Sequence, residues 1–121
     1  MPQILSNFKI SENLYKDIQS QATWRHHTLS EEMRLRLERT GDPAYGCNYP
    51  ADLITKIHNA SHRLYLDSNK KQYVFNFHMS NKMADTLTKI NLPPDETSTN
   101  ILNEQIVKRL AYTLVDPFYD R

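Results

Sequence analysis

One short alternating segment occurs twice in this chain and restricts the folds available to it. Ser6-Asn-Phe-Lys-Ile-Ser11 matches Phe75-Asn-Phe-His-Met-Ser80 at an offset of 69 residues. Apolar and polar residues alternate in both segments, which is typical of a strand with one buried face. Two stretches with helical periodicity follow each segment, so the chain is a degenerate repeat of strand, helix and helix.

Capping residues place the helices of the first copy. Ser11, directly after the first strand, is a good N-cap for a helix over about 12–25. Thr28, followed three residues later by Glu31, forms a capping box. This box predicts a second helix that runs to the end of the first copy.

The second copy follows the same order. Residues 73–80 alternate, and Ser80 caps a helix that ends near Ile90. A longer loop over 91–99 then leads to a helix over about 100–114, whose apolar residues recur every four positions.

The repeat divides the chain into two copies and a linker. We assign residues 1–40 to the first copy, 41–71 to the linker and 72–121 to the second copy, and we expect both copies to form one folded unit. Both glycines of the chain lie in the first part of the linker, where they indicate turns. Apolar residues at helical spacing predict a linker helix over 51–66.

A single copy cannot fold alone, because its strand lacks backbone partners and it buries too little apolar surface. Two copies solve both problems if their strands pair antiparallel and their helices interlock. We therefore predict a mainly α fold with one short two-stranded antiparallel ribbon, in which one chain forms an intramolecular pseudo-dimer and remains a monomer. An exposed ribbon of this size fits the major groove of B-DNA. The outward-facing ribbon residues would be Leu5, Asn7, Lys9, Val74, Asn76 and His78.

The charge balance is nearly neutral, with 15 Lys and Arg against 14 Asp and Glu. Taken alone, this balance argues against a nucleic-acid partner. A ribbon needs few cations, however, if they share one face, as Lys9 does, and if backbone amides hold the phosphates. The low charge then predicts weak non-specific binding and a shallow salt dependence.

The sequence also excludes several classes of protein. No run approaches the roughly 18 apolar residues of a membrane span, and the first residues lack a signal-peptide pattern, so we expect no membrane contact. The single Cys47 excludes a disulfide framework and indicates a reducing cytoplasm. His58 and His62 have metal-ligand spacing but lack a clear third ligand. Because no catalytic constellation appears, we expect no enzyme activity, no cofactor and no metal.

The first copy resembles the Arc/MetJ family of ribbon–helix–helix DNA-binding proteins. The resemblance covers residues 5–40 and is carried by the strand Asn7-Phe-Lys-Ile-Ser11 and by Thr28-Leu-Ser-Glu-Glu-Met-Arg-Leu-Arg-Leu37. Two fused copies ending in a Leu-Val-Asp-Pro-Phe-Tyr tail are similar to the tandem members that bind the transfer origin of F-type conjugative plasmids. The second copy departs from the family by about four extra residues between its helices, and the linker helix is additional.

The resemblance implies roles for particular residues. Family members read bases with three outward residues of each strand, which are the six ribbon positions named above. Asn can bond adenine bidentately and Lys donates to guanine, while Leu and Val can contact only thymine methyls or sugars. The start of each second helix would anchor a phosphate. These anchoring positions are Thr28, Leu29 and Ser30 in the first copy, and Ile101, Leu102 and Asn103 in the second. The family's buried charge network corresponds to Glu32 and Arg36, and to Gln105 and Arg109.

The function implied is sequence-specific binding of double-stranded DNA. The leading interpretation is an accessory protein of plasmid conjugation that binds the origin of transfer, assists a relaxase and can occupy the DNA in several copies. One alternative is a transcriptional repressor of the same class. Another is a protein–protein interaction module, as in antitoxins of this fold. Because Lys9 and His78 differ, an intramolecular pseudo-dimer predicts an asymmetric DNA site.

Four aromatic residues at the ends of predicted helices and in the tail have structural roles that the sequence suggests. Trp24, at the end of the first helix, is expected to pack against the core. Tyr112, Phe118 and Tyr119 could fold the tail onto the core or contact a partner.

Overall fold

The computed structural model describes residues 3–66, 72–89 and 101–119. Within these ranges the chain is mainly helical, with one two-stranded antiparallel sheet, which confirms the predicted fold at that level. The strands are β1 (Gln3–Ser11) and β2 (Gln72–Ser80). The α-helices are α1 (Glu12–Trp24), α2 (Leu29–Thr40), α3 (Ala51–Ser61), α4 (Asn81–Lys89) and α5 (Ile101–Val115). The predicted loop over 91–99 lies outside the described residues.

Serine and threonine caps begin the helices where the sequence places them. The Ser11 hydroxyl accepts a hydrogen bond from the Leu14 amide at 3.2 Å and caps α1. The Thr28 hydroxyl accepts from the Glu31 amide at 3.2 Å and caps α2. A third cap has the same form at Ser80, which accepts from the amide three residues later. Each cap satisfies a backbone donor that the first helical turn leaves free.

The register of the two strands is centred on two asparagines. Asn7 lies opposite Asn76, and every residue of β1 has a partner in β2. On the same face, Lys9 lies opposite Val74 and Leu5 opposite His78. Because side chains alternate along a strand, the residues between these pairs point to the other face of the ribbon.

That other face is buried, as predicted. Phe8 and Ile10 of β1 and Phe77 and Met79 of β2 are almost completely covered. They form one core with apolar residues of all four helices that follow the strands, namely Leu14, Ile18, Met33, Leu37, Ala84, Leu87, Ile106, Leu110 and Ala111. The helices thus cover one side of the ribbon and leave its opposite side free for solvent or a ligand.

The linker forms turns and then a helix that changes pitch near its end. The chain is α-helical as α3 and continues as one π-helical turn over His62–Leu66, so the predicted 51–66 helix is present in two forms. The Tyr65 side chain of this turn is buried and donates a hydrogen bond to the Asp17 carboxylate on α1. This contact attaches the linker to the first copy.

The expectation that Trp24 packs against the core is wrong, because its surface is 80% exposed. The buried stripe of α1 runs through Leu14, Ile18 and Ala22. Trp24 lies two residues beyond the last of these, about 200° around the helix from the stripe, and therefore points to solvent.

The tail after α5 folds onto the core through one aromatic ring. Tyr119 is buried, and the guanidinium groups of Arg36 and Arg39 lie 4.7 and 5.0 Å from its ring centre. Arg39 also donates to the Tyr119 carbonyl oxygen at 2.9 Å. Phe118 stays largely exposed. The first of the two expectations for the tail is therefore met at Tyr119.

Candidate nucleic-acid interface

The open face of the ribbon carries hydrogen-bonding side chains. Asn7 and Lys9 of β1 and Asn76 and His78 of β2 are exposed. Val74 is 63% exposed, although it is apolar and lies in a strand. The side chain of Leu5 lies outside the described part of the structure. Amide, ammonium and imidazole groups in two adjacent rows can donate to or accept from the edges of base pairs.

The dimensions of the ribbon suit the major groove. Two paired strands lie about 4.8 Å apart, and nine residues extend over roughly 30 Å. The major groove of B-DNA is about 12 Å wide and admits a two-stranded ribbon. An apolar, exposed Val74 is well suited to contact a thymine methyl group in such a groove.

One side chain of α2 and one of α5 hydrogen-bond to the backbone of the ribbon. Neither contact is predicted from the sequence. Arg34 of α2 donates to the His78 carbonyl oxygen at 2.8 Å, and its guanidinium lies 4.9 Å from the centre of the Phe77 ring. The side-chain amide of Asn103 on α5 donates to the backbone carbonyl oxygen of Asn7. The sequence signal for Arg34 is weak, because an arginine beside a buried stripe is equally consistent with a solvent-exposed residue.

The predicted phosphate anchors of the first copy form the start of α2. Thr28 and Ser30 are exposed, and Leu29 is half-buried. Backbone amides and the helix dipole make such a terminus favourable for an anion. However, the Glu31 carboxylate accepts a hydrogen bond from the Thr28 hydroxyl at 3.1 Å. A phosphate bound at the start of α2 would therefore lie close to this carboxylate.

The corresponding anchors of the second copy lie at the start of α5. Leu102 and Asn103 are half-buried, and the Asn103 side chain is used to hold β1. Backbone amides are therefore the groups that this terminus can offer to a phosphate. The side chain of Ile101 lies outside the described part of the structure.

A cluster of charged side chains surrounds the buried Glu32 of α2. Glu32 is fully buried, and its carboxylate lies 3.5 Å from Arg36 Nε, 3.7 Å from Arg25 Nη1 and 3.6 Å from His27 Nδ1. Three nitrogen-bearing side chains thus surround one buried carboxylate. The sequence correspondence foresees Glu32 and Arg36, whereas Arg25 and His27 come from the turn between the two helices.

Two reciprocal hydrogen bonds join α2 to α5. Arg36 donates to the Thr113 hydroxyl at 2.9 Å, and Arg109 donates to the Thr40 carbonyl oxygen at 2.6 Å. Burial lowers the pKa of Arg109 from its ordinary value. These bonds fix the C-terminal halves of the two second helices against each other.

The two histidines of the linker contact each other and α5. The rings of His58 and His62 are 4.4 Å apart, and His58 Nδ1 lies 2.9 Å from the Tyr112 hydroxyl. Burial, then the nearby His62 and Lys108, lower the pKa of His58. Over the described ranges, no group of three or more His, Cys, Asp or Glu residues is arranged to hold a metal ion.

Comparison with protein-family models, with curated proteins and with solved structures gave no match. Among the described residues, no helix combines the length and apolar character that crossing a bilayer requires.

Proposed function

We propose that this protein binds specific sequences of double-stranded DNA by placing the β1–β2 ribbon in the major groove. The observation that carries the proposal is the pairing of the two strands with their apolar residues in the core and Asn7, Lys9, Asn76 and His78 exposed together. A solvent-facing ribbon with two adjacent rows of base-compatible side chains has the shape and the chemistry for direct readout.

The register supports a pseudo-dimer of two ribbon–helix–helix copies. The sequence repeat equates Asn7 with Asn76, and the same two residues lie opposite each other in the sheet. The repeat also equates Lys9 with His78, and these residues lie on either side of that central pair. Two equivalent strands related by a two-fold axis through the asparagine pair would pair in this register.

Contacts between the helices support the same interpretation. Arg36 and Arg109 occupy equivalent places in the two copies, and each donates to the last residues of the other copy's second helix. Reciprocal contacts of residue i with j and of j with i are characteristic of an isologous interface. The tandem copies would therefore replace the two subunits of a dimer.

The proposed readout is asymmetric. The central pair, Asn7 and Asn76, can each bond an adenine bidentately, and Lys9 donates to guanine O6 and N7. His78 stands at the position equivalent to Lys9 and donates with less specificity. The preferred DNA site is therefore an imperfect palindrome whose two halves differ in the base pair read by these two residues.

The biological role we propose is that of an accessory protein of conjugation. The tandem copies and the Leu-Val-Asp-Pro-Phe-Tyr tail resemble TraY, which binds the origin of transfer of F-type conjugative plasmids. By that resemblance the chain would bind DNA near a transfer origin and assist a relaxase. Repression of its own operon is the alternative within the same binding mode, and an antitoxin-like protein–protein module is the alternative outside it.

The binding proposal is tested by selecting sites from random duplex DNA and measuring their affinity by fluorescence anisotropy. We expect enrichment of an asymmetric site. Asn7→Ala and Asn76→Ala should each weaken binding to it by about 1–3 kcal/mol, because each removes a bidentate base contact. Asn59→Ala, on the exposed surface of α3, is the matched control and should leave affinity unchanged.

Two outcomes would contradict the proposal. One is the absence of any enriched sequence over random duplex. The other is enrichment that both ribbon variants leave intact, which would favour the protein–protein module. If a site is found, its position separates the two roles. A site at an origin of transfer supports the transfer role, whereas a site over a promoter, with repression in a reporter assay, supports the repressor role.

A further inference from the structure

A cavity of about 490 Å³ lies on the side of α5 that faces away from the ribbon. Its walls are the turns of the linker, one side of α3 and the middle of α5. This volume lies within the range of roughly 300–1,000 Å³ that is usual for small-molecule sites. The predicted roles of the ribbon do not involve the cavity.

Three tyrosine rings and two aliphatic side chains make the cavity mainly apolar, and the His58 imidazole lines it as well. The rings are those of Tyr45, Tyr49 and Tyr112, and the aliphatic groups belong to Ile54 and Ile57. The linker wall is held in place because the hydroxyls of Tyr45 and Tyr49 both donate to one oxygen of Asp116, each at 2.7 Å. The flat faces of these rings therefore stand at fixed positions before a ligand enters, which lowers the cost of binding.

Polar groups line the α5 side of the cavity. Gln105 is 4% exposed and Arg109 is 8% exposed, and both line it together with Lys108. No hydrogen bond joins the Gln105 carboxamide to another residue in the part of the chain that the structure describes. The Gln105 carboxamide belongs to the lining of the cavity and can donate to or accept from a ligand there.

Two basic side chains of α5 line the cavity. They are Lys108 and Arg109, and no aspartate or glutamate is among the described lining residues. Glu104, which pairs with Lys108 at 2.8 Å, stands one helical turn away and is partly exposed. A ligand carboxylate would therefore share the Lys108 ammonium group with Glu104, and the Gln105 amide would supply a further donor.

We propose that this cavity binds a small planar aromatic carboxylate, with its ring among the three tyrosines and its carboxylate at Gln105 and Lys108. The ring replaces water against apolar walls, and the carboxylate accepts hydrogen bonds from the amide and the ammonium group. The inference concerns α3, α5 and the linker alone, so it holds or fails independently of DNA binding.

The test uses 2-naphthoate and its neutral analogue 2-naphthalenemethanol, titrated into the full chain by calorimetry. Binding is mapped by amide chemical shifts. We expect one saturable site for naphthoate, shifts concentrated in α3 and α5, and affinity for the alcohol lower by about tenfold or more, since the charge-assisted contact is lost. Lys108→Gln should weaken naphthoate binding by about tenfold, whereas Lys56→Gln, on the exposed side of α3, should not change it.

A second pair of variants tests the location by filling the space. Thr55 lines the cavity and Lys56 does not, so Thr55→Trp should abolish naphthoate binding while Lys56→Trp retains it. The proposal is overturned if naphthoate shows no saturable binding up to about 10 mM, because a dissociation constant above that concentration would correspond to a very small binding free energy. Equal affinity for the acid and the alcohol, or unchanged binding by Thr55→Trp, also overturns it.

Discussion

Replacing Asp116 with alanine should remove the attachment of the linker turns to the end of α5, while α3 still contacts that helix. This carboxylate is 7% exposed and accepts hydrogen bonds from the Tyr45 and Tyr49 hydroxyls at 2.7 Å each. Its other oxygen accepts from the Phe118 amide at 2.8 Å. Asp116→Ala therefore deletes three contacts at once and leaves two phenol groups without their acceptor.

The expected loss follows from the type of each contact. A hydrogen bond to a charged group contributes about 1.5–3 kcal/mol net. Tyr45 and Tyr49 are both half-buried, so water can replace part of each lost bond, and removing a buried carboxylate relieves some desolvation cost. We expect the free energy of unfolding to fall by about 3 kcal/mol, which corresponds to a Tm lower by roughly 10 °C for a domain of this size.

The assay is urea unfolding followed by circular dichroism at 222 nm. Asp52→Ala, an exposed carboxylate in the first turn of α3, is the matched control and should cost less than about 1 kcal/mol. In a double-mutant cycle, Tyr45→Phe should cost much less in the Asp116→Ala background than in the parent chain. A loss below about 0.5 kcal/mol for Asp116→Ala, the level of an ordinary surface change, or full additivity in the cycle, would refute this account of the linker.

Three further predictions address exposure, pH and association. Trp24→Gln should leave the free energy of unfolding within about 0.5 kcal/mol, because the indole is 80% exposed; a larger loss in the same urea titration would mean that it packs. Burial and the bonds to Asp116 raise the pKa of Tyr45 well above its ordinary value of 10 and the pKa of Tyr49 to about 12. The stabilisation that the two protonated phenols provide is therefore complete below pH 10 and declines as the pH rises through their pKa values in the folded protein. Unfolding titrations between about pH 9 and 11.5 should show this decline, and Asp116→Ala should reduce its slope; an equal slope would contradict the assignment. Finally, pairing of β1 and β2 within one chain predicts that the unfolding midpoint does not change when protein concentration rises about a hundredfold, whereas a midpoint that rises with concentration would indicate dimerisation.

Local signals in the sequence account for much of the described fold. Ser11, Thr28 and Ser80 begin helices because their hydroxyls accept from an amide three residues later, an interaction that needs no distant partner. The alternation of each strand likewise selects its buried face, as Phe8 and Phe77 illustrate. Bounds and faces could therefore be predicted from short windows of sequence.

Long-range side-chain contacts could not be predicted in this way. The bonds of Tyr45 and Tyr49 to Asp116 span about half of the chain, and no spacing rule connects residues that meet only after folding. The support of the ribbon by Arg34 and Asn103 is of the same kind. The cavity beside α5 is lined by residues from the end of α2, the linker and α5, so it has no local signature in the sequence.

Helical geometry did contain the information that Trp24 is exposed. The buried stripe of α1 ends at Ala22, and a residue two positions later lies on nearly the opposite side of the helix. Residue type favours burial of tryptophan, while its position on the helix favours exposure. Here the position decides, because a core that contacts one side of α1 cannot reach the other.

The separation of the two strands along the chain has a consequence for biosynthesis. The innermost ribbon pair in sequence, Ser11 with Gln72, encloses the whole linker and both helices of the first copy. Because non-local pairing is slow and chains emerge from the ribosome N-terminus first, β1 must wait for most of the polypeptide before it gains a partner. Until then its Phe8 and Ile10 face solvent beside unpaired backbone groups, as in an aggregation-prone edge strand. The ribbon can therefore exist only in a chain that extends through β2, and a translation product that ends before Gln72 would lack the entire face proposed to contact DNA.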